Sequence, residues 1–243
     1  MKSMIFHQTD FPVPLIELKG VTKVYGKGQA AMNALSGIDL RIDKGEFVAV
    51  MGPSGSGKST CMNILGCLDS PTSGTYLFEG VDIGKLSRDQ RARFRRHYLG
   101  FIFQGFNLLS RTSAVENVEL PMIYRGASAA DRRILALRAL EAVGLTGWES
   151  HTPAELSGGQ QQRVAIARAI VTAPNVLLAD EPTGNLDSVR SREIMEVLTT
   201  FNRERGITIV MVTHEPDMAA YAKRIIHFVD GRVDSDRPNT EVA

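Results

Sequence analysis

Phe47-Val48-Ala49-Val50-Met51-Gly52-Pro53-Ser54-Gly55-Ser56-Gly57-Lys58-Ser59-Thr60 is the stretch on which the reading of this chain turns. Five apolar residues in unbroken succession describe a strand buried on both faces, as in the middle of a parallel sheet. The chain then breaks into a glycine-rich loop and resumes as a helical segment through Ser59, Ile64 and Leu65. Gly52 to Ser59 fit the spacing G-x-x-x-x-G-K-[ST] without a gap. Glycines admit the torsions that turn successive N–H groups inward as an anion nest. The helix start adds its positive dipole end, Lys58 a full charge, and the Ser59 hydroxyl a ligand for Mg²⁺. A glycine-serine turn with a stray lysine would match this string by chance in about one chain in a hundred. Its place between a buried strand and a helix favours a loop that holds the phosphates of a nucleotide.

Working outward, Leu15 to Tyr25 alternates loosely as a strand, and Ile38, Leu40 and Ile42 alternate more cleanly. A Pro71–Gly74 turn leads to a strand over Thr75–Phe78. Ser87 to His97 reads as a basic surface helix, and Gly100–Phe103 as a strand ending at Gln104. From Gly105 to Pro153 the strand signal fades. The clearest element there starts at Ser128, capped with Asp131, and places Ala136, Leu137, Leu140 and Val143 on one helical face. A helix over Gly158 to Thr172 follows. Val176–Ala179 is a second buried strand, ending in Asp180-Glu181, and Ile207 to Thr213 a third, ending at His214. Ile194, Val197, Leu198 and Phe201 share a face of the helix between them. Arg224–Val229, an Asp230-Gly231 turn and Arg232-Val233 predict a hairpin, and the polar tail from Asp234 is expected to be loose.

Strands alternating with helices imply a mostly parallel α/β sheet, which binds ligands beyond the carboxyl ends of its strands. Three of those ends are Gly52–Thr60, Asp180–Glu181 and His214. An acid at a strand end facing a phosphate loop can hold Mg²⁺, and the next carboxylate can orient or deprotonate an attacking water. A helix cap would explain a lone Asp but fits an Asp-Glu-Pro run poorly. His214 alone reads as a structural histidine; beside two strand ends carrying phosphate chemistry it reads as part of the site. Gln104 follows the same logic on weaker grounds. Tyr25 can stack on an adenine ring or serve as an ordinary strand aromatic. The cluster Arg91, Arg93, Arg95, Arg96 and His97 reads as a solvated helix face and not as an RNA site.

Composition narrows the function. Hydrophobic residues at 43% and charged residues at 23% exclude a disordered chain. Twenty-eight Lys and Arg against 27 Asp and Glu leave a net charge of +1, which disfavours a nucleic-acid coat. Anions must therefore be held by a local site. The apolar runs fall far short of the ~18 residues of a membrane span, and Met1 to Pro14 lacks the apolar run of a signal peptide. Cys61 and Cys67, expected on different faces of one helix, read as two free thiols.

Leu156-Ser157-Gly158-Gly159-Gln160 is the most specific signal, expected by chance in on the order of one in a few thousand chains. Ser157 is a natural N-cap, and Gly158-Gly159 leave backbone N–H groups open to an anion. A second phosphate-binding helix start has no evident use for a nucleotide already held by Lys58. It makes sense if each chain offers it to the nucleotide of a partner chain. A simple P-loop kinase or GTPase would leave it without a purpose.

With these motifs in order from about Leu15 to Val233, the chain resembles the ABC-type ATPases, the nucleotide-binding subunits of transporters. The resemblance implies a P-loop NTPase (RecA-like) core with a mostly parallel sheet, an antiparallel β subdomain and a helical subdomain. It implies one domain over residues 12–234, with the helical subdomain at about 105–157, core and β subdomain at about 12–104 and 158–234, and a loose tail over 235–243. Position by position, Tyr25 resembles the A-loop aromatic, Gly52 to Thr60 the phosphate loop, and Gln104 the Q-loop glutamine that touches Mg²⁺ and reports to the membrane partner. Ser157, Gly158, Gly159 and Gln160 fall in the signature. Asp180 resembles the Mg²⁺-holding acid beside Ser59, Glu181 the general base, Asn185-Leu186-Asp187 the D-loop, and His214 the switch histidine.

Met62–Asp69, Phe103–Leu109, Glu116-Asn117-Val118 and Ala179–Asn185 resemble the macrolide-exporter and lipoprotein-release subfamily. That implies ATP and Mg²⁺, a second copy of the chain and an integral-membrane permease as partners. It places the chain at the cytoplasmic face of the inner membrane, as a peripheral subunit with no nucleic acid. Some members of the subfamily fuse ATPase and permease; with no membrane segment in this sequence, the permease is expected to be a separate polypeptide, unless the sequence is part of a longer fusion. A cell-division relative that drives a cell-wall hydrolase complex would share the site chemistry and differ in partner. Soluble ABC ATPases acting on ribosomes or DNA usually need two tandem halves or a coiled-coil insertion, for which this chain has no room.

Overall fold

A computed structural model describes residues 13–240 of the chain. The elements in order are β1 Ile16–Tyr25, β2 Met32–Ile42, β3 Phe47–Met51, α1 Lys58–Leu65, β4 Ser73–Phe78, β5 Val81–Asp82, α2 Arg88–Tyr98 and β6 Leu99–Phe103. Then come α3 Ala114–Tyr124, α4 Ala129–Ala142, α5 Gly158–Ile170, β7 Val176–Asp180, α6 Ser188–Arg205, β8 Thr208–Val212, α7 Pro216–Ala219, β9 Arg224–Val229 and β10 Arg232–Pro238. Among the described residues the strands form an antiparallel sheet in the order β2-β1-β4-β5 and a six-stranded sheet in the order β10-β9-β3-β8-β7-β6. In the second sheet all neighbours run parallel except β10 on β9.

The continuous apolar strands are apolar because each of their faces meets a different core. Phe47, Ala49 and Met51 of β3 join Leu177 and Ala179 of β7 and Ile209 and Met211 of β8 in one cluster with the helices α3 to α6. The intervening Val48, Val50, Leu178, Val210 and Val212 join the other cluster, with α1, α2 and the antiparallel sheet. The period-two alternation of a strand thus assigns successive residues to two cores. The parallel sheet is the wall between them, and all its parallel strands point the same way.

Several expectations are corrected here. Leu137 is 40% exposed while Ala136, Leu140 and Val143 are buried, and Ala139 takes its place on the inner face of α4. Helix α3 was not foreseen. Ser113 and Glu116 close a capping box at its start, and Pro121 lies inside it, the residue that hides a helical pattern. The tail from Asp234 is not loose, since β10 runs to Pro238. The Asp236 carboxylate takes the Arg224 guanidinium at 2.6 and 2.7 Å, and the Asn239 amide donates to the Ala222 carbonyl at 2.8 Å. Cys67 lies beyond the end of α1 and faces the same core as Cys61. Arg91 and Arg95 are not simply solvated: from α2 they donate to the Ser70 hydroxyl and to the Cys67 carbonyl. The boundary expected at residue 12, most of Met1 to Pro14 and the last three residues lie outside the described residues.

Two consequences can be measured. Gly100 of β6 has no room for a methyl group, because a Cβ there would lie 2.5 Å from the Ala169 carbonyl and 2.6 Å from Leu177 Cδ2. Gly100→Ala should cost about 1–3 kcal/mol and lower the thermal midpoint by about 3–10 °C; a variant as stable as the parent would show that α5 can back away from β6. Burial pushes the Cys61 thiol up to about 12 and the Cys67 thiol up to about 11, the latter against the pull of Arg95 and Arg91. A thiol reagent at pH 8 should therefore label both only after unfolding. Rapid labelling of the native protein would contradict that burial.

Candidate nucleotide site

The phosphate-loop stretch leaves β3 under tight steric control. A Cβ on Gly52 would lie 2.1 Å from the Phe228 carbonyl, so only glycine can pass β9 there. Gly57 caps α1 with φ 101° and would strike the Ala34 carbonyl at 2.6 Å if it carried a side chain. Between them the loop is braced by Ser56 N–H on the Pro53 carbonyl (3.2 Å) and by Gly231 N–H on the Ser56 carbonyl (3.0 Å). Lys58 is buried, and its Nζ donates to the carbonyls of Gly52 (2.8 Å) and Pro53 (2.7 Å). Ser59 is exposed beside it, and Thr60 is half-buried.

Asp180 closes β7, paired in register with Val212 of β8. Burial and then the Glu181 charge raise its carboxyl above the usual carboxylate range, against the pull of Lys58. Glu181 takes a left-handed backbone, φ 46°, fixed by its N–H on the Val212 carbonyl at 2.9 Å. For a non-glycine residue this is a strained conformation, held by its surroundings. Its Oε1 lies 3.2 Å from Nδ1 of His214, just past the end of β8. Thr213 N–H meanwhile bonds back to the Val50 carbonyl of β3 at 3.2 Å. The carboxyl ends of β3, β8 and β7 therefore bring Gly52 to Thr60, His214, Asp180 and Glu181 together.

Gln104 follows β6, the next strand in the sheet. It is exposed, its carbonyl accepts from the Asn185 amide at 2.9 Å, and its Nε2 reaches Asn185 Oδ1 at 3.5 Å. Tyr25 ends β1 on the antiparallel sheet, with Thr60 beside its hydroxyl and that hydroxyl donating to Asp69 Oδ2 at 2.8 Å. Ser157 to Gln160 stand elsewhere. Ser157 caps α5 and closes a box with Gln160, whose Oε1 accepts from the Ser157 N–H at 2.9 Å. The nearest neighbours of a Cβ on Gly158 would be Leu186 and Phe106, not the phosphate loop. This helix start is preorganised and partly open.

Sequence reasoning missed three supports. Gln162, fully buried on α5, donates to the Pro182 carbonyl next to Glu181. Arg168, also on α5, donates to the carbonyls of Phe106 (2.8 Å) and Asn107, both left-handed, just after Gln104. As the sole charge within Val164–Ile170 it could have been singled out. Asp69 sat inside a quoted motif without a role. Between α2, β6, α3 and α5 opens a groove of about 530 Å³, lined by Arg95, Arg96, Phe101, Pro121, Tyr124 and Arg168 among others.

The chain's likenesses are consistent with this geometry. The family model described as ABC transporter matches residues 35–184. The macrolide export ATP-binding/permease protein MacB of Marinobacter nauticus is 53% identical over 225 residues, 93% of this chain and 35% of that protein. The pyoverdine export ATP-binding/permease protein PvdT of Pseudomonas aeruginosa is 50% identical over 231 residues, 95% of this chain and 35% of that one. The chain thus spans about a third of the length of the curated relatives it matches. Among solved structures, the dimeric post-hydrolysis state of the ATP-binding cassette MJ0796 bound to ADP and Pi is similar at 47% identity. The TM-score is 0.84, covering 92% of this chain and 98% of that one. The chain belongs to the ABC transporter family, as one of its ATPase cassettes.

Proposed function

We propose that the chain hydrolyses ATP as one half of a head-to-tail dimer and so powers a membrane permease of the macrolide-exporter and lipoprotein-release type, in export or extraction across the cell envelope. The observation that carries this is the partly open, capped helix start at Ser157, set apart from the loop around Lys58. A chain that holds the triphosphate on one surface and offers a second anion-binding helix start on another is half of two sites. The solved relative, a dimeric cassette bound to ADP and Pi, supports the pairing of two copies.

In this reading Tyr25 meets the base and Gly52 to Thr60 with Lys58 hold the phosphates. Ser157 to Gln160 of the partner copy close over the γ-phosphate. Glu181, fixed beside His214, takes the proton of the attacking water, and His214 steadies the charge that develops on the phosphoryl oxygens. The hydroxyl of Ser59, the carboxylate of Asp180 and the amide oxygen of Gln104 are hard oxygen donors of the kind Mg²⁺ prefers, and the half-buried Asp180 carboxyl gains from a neighbouring cation. When bound there, Mg²⁺ would neutralise charge on the phosphates. The groove beside Arg96, Phe101 and Tyr124 would seat a cytoplasmic helix of the permease. Residues 105–157 act as the helical arm of the cassette. In this reading the cassette works as a peripheral subunit on the cytoplasmic face of the membrane, beside its permease; among the described residues no helix is long and apolar enough to cross a membrane.

Two measurements test the reading. Glu181→Gln should lower ATP turnover by at least about a hundredfold, the scale of losing a general base, and elute as a dimer with MgATP; a variant that dimerises no better than the parent would remove the base assignment. Without a permease, specific activity should rise with protein concentration. Constant activity down to concentrations where the chain is monomeric would overturn the shared site.

A further inference from the structure

The Tyr25 side chain is held by a cluster that the catalytic reading leaves unused. Lys23, on the same strand, has its ammonium 4.8 Å over the centre of the Tyr25 ring. That side chain is only 12% exposed, so its charge needs a partner. Asp69, in the loop after α1, supplies it at 2.6 Å through Oδ1 and takes the Tyr25 hydroxyl at 2.8 Å through Oδ2. The carboxylate is itself anchored by the Ser70 N–H at 2.7 Å, and the Ser70 carbonyl accepts from the Lys23 ammonium at 2.9 Å. From behind, Arg91 donates to the Ser70 hydroxyl.

We propose that Asp69 is a positioning residue for purine recognition: its two oxygens lock the Tyr25 hydroxyl and the Lys23 ammonium together, the ammonium covers one face of the ring, and the base stacks on the other. This rests on the reading of Tyr25 as the residue that meets the base. The arrangement has a physical purpose. A tyrosine at 37% exposure would otherwise rotate freely, and each bound base would have to order it. A cation against one face strengthens the ring's hold on that side and leaves a single face for stacking. Because the loop of Asp69 continues the helix that begins at Lys58, the base platform and the phosphate loop are tied through one short segment.

The test compares equilibrium binding of ATP and of inorganic tripolyphosphate, each with Mg²⁺, to the full chain and to Tyr25→Ala, Asp69→Ala, Asp69→Asn and the Tyr25→Ala/Asp69→Ala pair. Tyr25→Ala and Asp69→Ala should each weaken ATP by about tenfold, the order of one lost aromatic–base stack. The pair should do no worse than either alone, and tripolyphosphate should bind all variants alike. Asp69→Asn keeps an oxygen for the hydroxyl and should recover part of the loss. Equal weakening of both ligands by Asp69→Ala would mean that Asp69 supports the loop as a whole, and the proposal falls. Weakening by Tyr25→Ala but not by Asp69→Ala overturns the positioning role and leaves base stacking intact. No effect of Tyr25→Ala removes the stacking reading, and the proposal with it. If Asp69→Ala does not fold, Lys23→Met must show the same ATP-selective loss, and a Lys23→Met variant with unchanged ATP affinity overturns the proposal.

Discussion

The ammonium of Lys58 is the charge around which the rest of the site is arranged. Lys58 as a whole residue is 9% exposed, and a cation on so buried a side chain needs dipoles around it. The loop supplies them by curling the Gly52 and Pro53 carbonyls onto it. Because a peptide unit is planar and trans, turning the Pro53 carbonyl inward turns the Ser54 N–H outward, toward the open side of the loop. One geometry thus stabilises the buried lysine and turns the Ser54 N–H away from it. The steric contacts at Gly52 and Gly57 make it hard to relax into another geometry. A chain of net charge +1 needs such a local concentration of donors, having no general field to offer.

The acids answer to the same constraint from the other side. Asp180 and Glu181 stand where β7 ends against β8, and neither is in a comfortable state: one carboxyl is raised by burial and by its neighbour, the other sits on a left-handed residue. Such strain persists only where the surroundings over-determine it. Here they do: the Glu181 N–H is tied to Val212, and the Pro182 carbonyl is held by the buried Gln162. A strand ladder on one side and a helix on the other keep the Glu181 side chain facing His214.

What could be read from the residues follows which forces leave a pattern. β3, β7 and β8 were legible because burial on both faces demands unbroken apolar runs, and the phosphate loop because its glycines answer steric contacts that no other residue survives. The continuation of β10 beyond Val233 was misread because that part of the edge strand is held by its backbone ladder and by the Arg224–Asp236 pair, not by apolar residues. α3 was missed because Pro121 breaks its periodicity. Leu137 was placed on the wrong face because the inner stripe of α4 runs through the small Ala136 and Ala139, which carry little hydrophobic signal. The side-chain braces Gln162 and Asp69 leave no local pattern, and Arg168 shows only as a lone charge in an apolar run: each acts on a carbonyl or hydroxyl distant in sequence, and only the fold brings them into reach.

Helix α5 links these parts mechanically. Its first residue follows the Ser157 cap, its middle grips the turn of Pro182 through Gln162, and its last turns hold Phe106 and Asn107 through Arg168 at the wall of the groove. Thirteen helical residues form a rod of about 20 Å whose hydrogen bonds resist bending. The Ser157 cap, the Pro182 turn and the wall of the groove are therefore held at fixed spacings along one helix. The helix start that stands apart from the phosphate loop is in this way fastened to the turn of Asp180 and Glu181.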